Sequence, residues 1–249
     1  MPSGIEEVRS GGFRTVLVIF LALAVVSGVG ALGYFYVFPA LFPRVGPISE
    51  TPPADVPAAP AQLAPHQSYL ILPAAAQAEI LLGDRSFPTV VASLQNEAFA
   101  QLADGQVKEV KISDRNGQVP FKDYLPAITP AALALDLSSW FEDDFTALLY
   151  YNPAGVWPVY VAKIRPTVDY QTVISNLLSV EGAMDAANFY LTSPGSFSGF
   201  KDGKYKTYNT RYNVGSVLGA SFNYGVFGNY LVIATNFDGL KAVLPLLGL

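Results

Sequence analysis

The stretch Phe145-Thr146-Ala147-Leu148-Leu149-Tyr150-Tyr151 is apolar and aromatic, Asn152-Pro153-Ala154-Gly155 is turn-forming, and Val159-Tyr160-Val161-Ala162-Lys163-Ile164 is apolar again. Two such runs around an Asn-Pro-x-Gly turn predict a buried antiparallel hairpin, and this hairpin fixes the class of the fold. Upstream, Ala78–Leu82 reads as a short strand closed by Gly83-Asp84. Phe87–Leu102 carries Val90, Val91, Leu94, Ala98, Phe99 and Leu102 at helical spacing, with Pro88 tolerated in the first turn. Val107–Ile112 reads as an edge strand, because Lys108 shares the parity of Val110 and Ile112, and Asp114-Arg115-Asn116-Gly117 ends it as a turn. Phe121–Leu125 reads as a turn before a second helix, which Thr129-Pro130 opens and which reaches about Leu137.

Downstream, Pro166-Thr167 opens a helix with Val168, Val173, Ile174, Leu177 and Leu178 on its apolar side, running toward Met184. Lys204–Tyr212 alternates aromatic and basic residues. Ala220–Phe227 and Tyr230–Thr235 flank Gly228-Asn229 as a hairpin, and Asn236 caps a last helix over Phe237–Leu247. The expected class is α+β, with antiparallel strands in one or two sheets and helices packed on one side. Two cycles of strand, helix and strands, near 78–151 and 157–235, read as a degenerate duplication.

The folded part is expected over residues 67–249, and what precedes it has a different composition. Between Arg14 and Arg44 lie 29 consecutive uncharged residues. A hydrocarbon core of roughly 30 Å needs about 20 helical residues, so a transmembrane helix is expected at 15–37. Tyr34, Phe35, Tyr36 and Phe38 gather at its far end as an aromatic belt, and Pro39 and Pro43 stop the helix. Arg9, Arg14 and the α-amine favour a short cytoplasmic tail at 1–14 and the C-terminal domain outside. A cleaved signal peptide, cut after Ser27-Gly28-Val29-Gly30-Ala31, is the alternative, although the apolar stretch exceeds the usual signal core. Ala24, Ser27, Gly28 and Ala31 also form small-xxx-small pairs, which would allow two such helices to approach. Residues 38–66 form a Pro/Ala-rich linker, part of a run with nine prolines from Pro39 to Pro73. Such a chain is a semi-stiff spacer, and about 23 residues at about 3.1 Å each reach about 70 Å. His66, at the end of this linker, reads as solvent-exposed.

Composition excludes several chemistries. The 249 residues are 51% hydrophobic and 14% charged, with net charge −5, mean hydropathy +0.32 and no Cys. With Glu6, Glu7, Arg9, Arg14 and Arg44 set aside, 12 basic and 18 acidic residues remain, so a nucleic-acid partner has no general basic footprint to meet. Disulfides, thiolate catalysis and thiolate metal sites are ruled out, and the single His, His66, leaves any Ser-His or multi-His metal arrangement without parts unless another chain supplies them.

Phe145–Tyr150, Val161–Ile164, Phe200-Lys201-Asp202-Gly203-Lys204-Tyr205, Asn209-Thr210-Arg211-Tyr212, Phe222-Asn223-Tyr224-Gly225 and Asn229–Thr235 resemble a group of single-pass, membrane-anchored proteins of candidate-phyla (Patescibacteria-type) bacteria. The resemblance spans about 100 residues plus the anchor-and-linker layout. It implies a bacterial envelope protein. Its motifs are strand ends and a hairpin, so it implies no catalytic residue, cofactor or activity.

Two clusters are candidate sites. Glu142-Asp143-Asp144 is the acidic one, a potential acid–base pair or hard-cation site, against which stands a solvated helix-to-strand turn without calcium-loop spacing. The other is Lys204, Lys206, Tyr208, Arg211 and Tyr212, with Lys201 and Tyr205 beside them, where cations and aromatics suit a glycan, peptide or lipid ligand. As a single extended strand it places Lys204, Lys206 and Tyr208 on one face. Protected edge strand is the plainer reading. Trp140 and Trp157 read as core anchors, and Ser193–Gly199 as a flexible loop that is at most a lid or a partner contact. The expected function is a non-enzymatic, membrane-anchored scaffold or assembly protein of the cell envelope. A surface binding module and a hydrolase using Glu142 or Asp144 are the alternatives. Expected partners are the membrane, through the N-terminal helix, and envelope proteins; no cofactor and no nucleic acid is expected, and nothing in the sequence supports or opposes a homo-oligomer.

Overall fold

The computed structural model describes residues 65–249. The tail at 1–14, the helix at 15–37 and all but the last two residues of the 38–66 linker lie outside the described residues. Among those described, no helix is long and apolar enough to cross a membrane.

The Phe145 hairpin lies at the middle of a single mixed sheet. Its strands are β4 (Phe141–Asn152) and β5 (Gly155–Ile164), paired from Phe145↔Ala162 to Asn152↔Gly155. Upstream come β1 (Ala76–Leu82), α1 (Phe87–Ala98), β2 (Val107–Asp114) and the two-residue β3 (Gly117–Gln118). Helix α2 (Phe121–Ile128), a 3-10 turn at Pro130–Ala134 and the short α3 (Leu137–Trp140) then lead into β4. After β5 come α4 (Tyr170–Val180), 3-10 turns at Glu181–Ala183 and Ala186–Phe189, β6 (Lys201–Tyr205), β7 (Tyr208–Val214), β8 (Ser221–Phe227), β9 (Tyr230–Ala234) and α5 (Phe237–Leu246). The order across the sheet is β1-β2-β4-β5-β9-β8-β7-β6, with β3 beside β2.

The class is α+β, as the sequence implies, but three details differ. First, the sheet is not wholly antiparallel: β1 pairs with β2 in parallel, from Ala76↔Lys108 to Leu82↔Asp114, with α1 as the crossover. Strand β2 is therefore interior. Lys108 is buried, 3% exposed, because its Nζ reaches Glu97 Oε1 at 2.9 Å and the carbonyls of Glu97 and Ala100 at 3.1 and 2.7 Å. The ammonium thus closes the carbonyl end of α1, which stops at Ala98, short of Leu102.

Second, helices cover both faces. Residues of one parity, including Lys108, Phe145, Tyr160 and Tyr224, face α1, α2 and α4: Tyr124 of α2 stacks 4.6 Å from Phe145, and Lys108 reaches the end of α1. The other parity, including Glu109, Thr146 and Tyr150, faces α5 and the segment 66–72. Gly239 of α5 packs so closely on Tyr150 that a Cβ there would lie 3.2 Å from the ring, and Ile71 and Leu72 donate their N–H groups to Leu246 O. Strands of the hairpin type normally leave one face wet, but β4 and β5 are apolar at both parities and need two covers. Third, the two cycles differ in connectivity, since β1 and β2 are parallel neighbours whereas β5 pairs antiparallel with β9 at the end of its own cycle.

Local differences have local causes. Phe121–Ile128 is a helix, not a turn: Phe121, Tyr124, Leu125 and Ile128 present one buried face, and Pro126 lies near enough to its end to be tolerated. Glu142–Asp144 belong to β4, in a bulge between Phe141 and Phe145, and not to a turn. Lys204–Tyr212 folds at Lys206-Thr207, where Lys206 adopts φ 53°, so that β6 and β7 form a hairpin. Trp157 is buried and donates to Asn152 Oδ1 at 2.8 Å, as expected for a core anchor. Ser193–Gly199 is stitched to the β7–β8 loop by Ser216 N to Ser196 O, Val217 N to Pro194 O and Ser198 N to Val214 O, and so is a paired segment.

Candidate functional site

A groove of about 640 Å³ runs between α4 and the β6–β7–β8 end of the sheet. Helix α4 is capped by Asp169, whose carboxylate accepts from Gln171 N, and carries apolar residues over a wide arc. Val173 and Leu177 enter the core, which leaves Ile174 and Leu178 to line the groove with Tyr170. Tyr170 is 51% and Leu178 43% exposed. The floor is formed by Asn209, Arg211, Tyr224 and Val226.

One end of the groove is polar and closed. Arg211 donates to both oxygens of Glu181, Nε to Oε2 at 2.8 Å and Nη2 to Oε1 at 2.5 Å, and to Asp202 Oδ1 at 2.7 Å. Tyr224 Oη donates to Glu181 Oε2 at 2.5 Å. Burial raises the Glu181 pKa, but Arg211 and the Tyr224 hydroxyl outweigh it and hold the carboxyl below its usual range. Burial and the same carboxylate push the Tyr224 phenol far above its ordinary value. All three groups are thereby held in one protonation state at neutral pH.

The five sequence candidates do not form one stripe. Pairing of Lys204 with Asn209 and of Asp202 with Arg211 puts Lys204 and Arg211 on the α4 side. Tyr208, which packs 5.1 Å from Phe227, and Tyr212 lie on the opposite face. Lys206 sits in the turn, its Nζ 3.3 Å from Leu249 O. Only Arg211 and Tyr208 line the groove, and Arg211 is committed to carboxylates. Glu181 was not legible as a member, because nothing local marks it; the doubled apolar pairs Val173-Ile174 and Leu177-Leu178, too wide an arc for one core contact, are the signal for the groove wall.

The acidic cluster lies in the bulged part of β4 and its three members take different partners. Asp144 Oδ1 lies 2.9 Å from His66 Nδ1 and receives the Gln118 amide and its neighbour's N–H, while Oδ2 accepts from Gln67 N at 2.6 Å. His66 Nε2 faces Glu109 Oε1 at 3.4 Å, and Gln77 donates to Glu109 Oε2 at 3.0 Å. His66 is therefore not the exposed linker residue the sequence suggests: its side chain is 10% exposed. Burial alone would lower its pKa, yet the two carboxylates raise it to about 9. Glu142 and Asp143 turn outward to Arg165 and Lys122, at 3.4 and 3.3 Å. A cleft of about 430 Å³ adjoins them, lined by Gln67, Tyr69, Asp144, Lys163 and Arg165 among others. Both His66 nitrogens are engaged by carboxylates from two strands, so the cluster holds the chain segment against the sheet. Among the described residues no group of three His, Cys, Asp or Glu is placed to hold a metal ion.

No protein-family model, curated protein or solved structure matches the chain.

Proposed function

We propose that the chain is a non-enzymatic scaffold of a bacterial cell envelope, anchored by its N-terminal apolar segment, whose extracytoplasmic α+β domain grips a protein partner in the α4 groove. The observation that carries this reading is the groove itself: an apolar wall of exposed Tyr170 and Leu178 and half-buried Ile174 faces a floor whose one cation, Arg211, is already held by the carboxylates of Glu181 and Asp202. Such a surface gains free energy by covering apolar area, at about 25 cal/mol per Å², and offers no poised acid, base or nucleophile to a substrate. The uncharged stretch at 15–43 and the Pro/Ala linker support the location.

The test uses the full chain expressed in a bacterium. The chain is expected in the membrane fraction, cleaved from outside by protease added to spheroplasts, and a photo-crosslinker replacing Leu178 is expected to give one discrete envelope-protein adduct that Tyr170→Glu abolishes. A freely soluble chain, a domain protected until lysis, or adducts indifferent to Tyr170→Glu would overturn the reading.

A further inference from the structure

We infer that the chain pairs with a second copy of itself through β6, the last strand of the sheet, in one antiparallel register. This goes beyond the scaffold reading and does not depend on it. Among the described residues, strand β6 is an edge with no neighbour on its outer side. The two-residue connection Lys206-Thr207 makes Tyr205↔Tyr208 a hydrogen-bonded pair, so by alternation Lys201, Gly203 and Tyr205 bond inward to β7. The N–H and C=O groups of Asp202 and Lys204 therefore point outward, and their side chains share the α4 face.

A two-fold pairing of β6 with its copy must set outward residues opposite outward residues, which allows three registers. Centring on Asp202 sets aspartate against aspartate, and centring on Lys204 sets lysine against lysine. Centring on Gly203 sets Asp202 against Lys204 of the second copy twice, with two backbone hydrogen bonds at each pair. The charge pattern Lys201-Asp202-Gly203-Lys204-Tyr205 is thus complementary to itself in that register alone. On the other face it sets Lys201 over Tyr205 of the second copy, a cation–π pairing. Within each copy the charges extend the row Glu181, Arg211, Asp202, whose last member is 94% exposed and ready for a second cation. The opposite edge, β1, carries Glu79 as its only charge and offers its own copy no opposite one.

A two-fold axis through paired edges stands normal to the sheet, so both copies show the same face to the same side. The face bearing segment 66–72 is then common to both copies. Lysines on an edge strand ordinarily oppose pairing. Here Lys204 is answered by Asp202 of the second copy and Lys201 by its Tyr205 ring.

The chain has no Cys, so full-length Asp202→Cys and Lys204→Cys report directly. Oxidised as a mixture in detergent micelles they are expected to give a disulfide-linked dimer, while neither alone does. Sedimentation of full-length Lys204→Asp, an exposed substitution, is expected to show dimerisation weakened by about tenfold or more, from two lost ion pairs and two new repulsions. No crosslink in the mixture, a crosslink in either variant alone, or a Lys204→Asp dimer as tight as the parent overturns the proposal.

Discussion

His66 Nδ1 stands 2.9 Å from Oδ1 of Asp144, 78 residues further along the chain, and this contact fastens the start of the described domain to the middle of its sheet. The fastening continues through Gln67 N to Asp144 Oδ2, Tyr69 N to Thr146 Oγ1 at 3.1 Å and Tyr69 Oη to the Asp144 carbonyl at 2.9 Å.

The fastening titrates. The His66 pKa is raised from its unfolded value to about 9, so its contribution is complete below about pH 6.5 and is lost as pH rises through 9. The Glu109 carboxyl faces burial, which raises its pKa, but His66, Ser68 and Gln77 lower it on balance, so its share is present above the unfolded carboxylate value and lost in acid. Stability should therefore be highest near pH 5–6.5 and fall by about 1–2 kcal/mol by pH 9.5, a figure discounted for solvent screening. Urea unfolding at pH 6 and 9.5 measures it. His66→Gln should flatten the alkaline slope; an equal slope in both proteins would assign it elsewhere.

Lys108 offers a second measurement. Its ammonium, 3% exposed, satisfies Glu97 Oε1 and two carbonyls at the end of α1. Lys108→Met keeps most of the stem's packing and strands those acceptors, and is expected to cost about 2–3 kcal/mol in chemical denaturation. Fraying should concentrate in Asn96–Ala100, read as faster amide exchange there. A cost under about 0.5 kcal/mol would mean that water replaces the ammonium without penalty.

What the sequence makes legible is what repeats locally. The β4–β5 hairpin, the Gly228-Asn229 hairpin and the Asn236 cap, whose Oδ1 accepts from Gly239 N at 2.9 Å, all follow from neighbours in the chain. The parallel β1–β2 pairing does not, because Ala76 and Lys108 are joined through α1 and no local pattern chooses their direction. Lys108 misleads for the same reason: a lysine among apolar residues looks like an edge until the acceptors at Glu97 and Ala100 are in place. His66 is obscured by its proline-rich context, and its partners Glu109 and Asp144 come from two other strands. The groove is half legible, in the doubled apolar arc of α4, while the Arg211–Glu181–Tyr224 closure joins three distant segments.

Gly219 tests the β7–β8 loop. It adopts φ +85°, and a Cβ there would lie 2.7 Å from Trp157 Cζ2 and 3.1 Å from Ala154 Cβ. Its carbonyl also accepts from Asn236 Nδ2 at 2.7 Å, which ties this loop to the start of α5. Gly219→Ala is expected to destabilise by about 1–3 kcal/mol, from the left-handed backbone and from displacement of a buried indole. Trp157 fluorescence reports the displacement, and an unchanged spectrum with unchanged stability would show that the loop yields.

Arg211 separates the buried from the exposed part of one network. Its bond to Glu181 lies in surroundings where that carboxylate is 12% exposed, whereas Asp202 is 94% exposed. Arg211→Ala leaves the Glu181 charge with only the Tyr224 hydroxyl, and is expected to cost about 1–3 kcal/mol. Arg211→Lys keeps the charge but loses the two-pronged geometry, so it should recover only part of that. Asp202→Asn should change stability by less than about 0.5 kcal/mol, since an exposed ion pair contributes little. Thermal or urea unfolding of the three variants gives the order directly. If Asp202→Asn costs as much as Arg211→Ala, the guanidinium is held by the sheet edge and not by Glu181, and the closed end of the groove would have to be reassigned to β6.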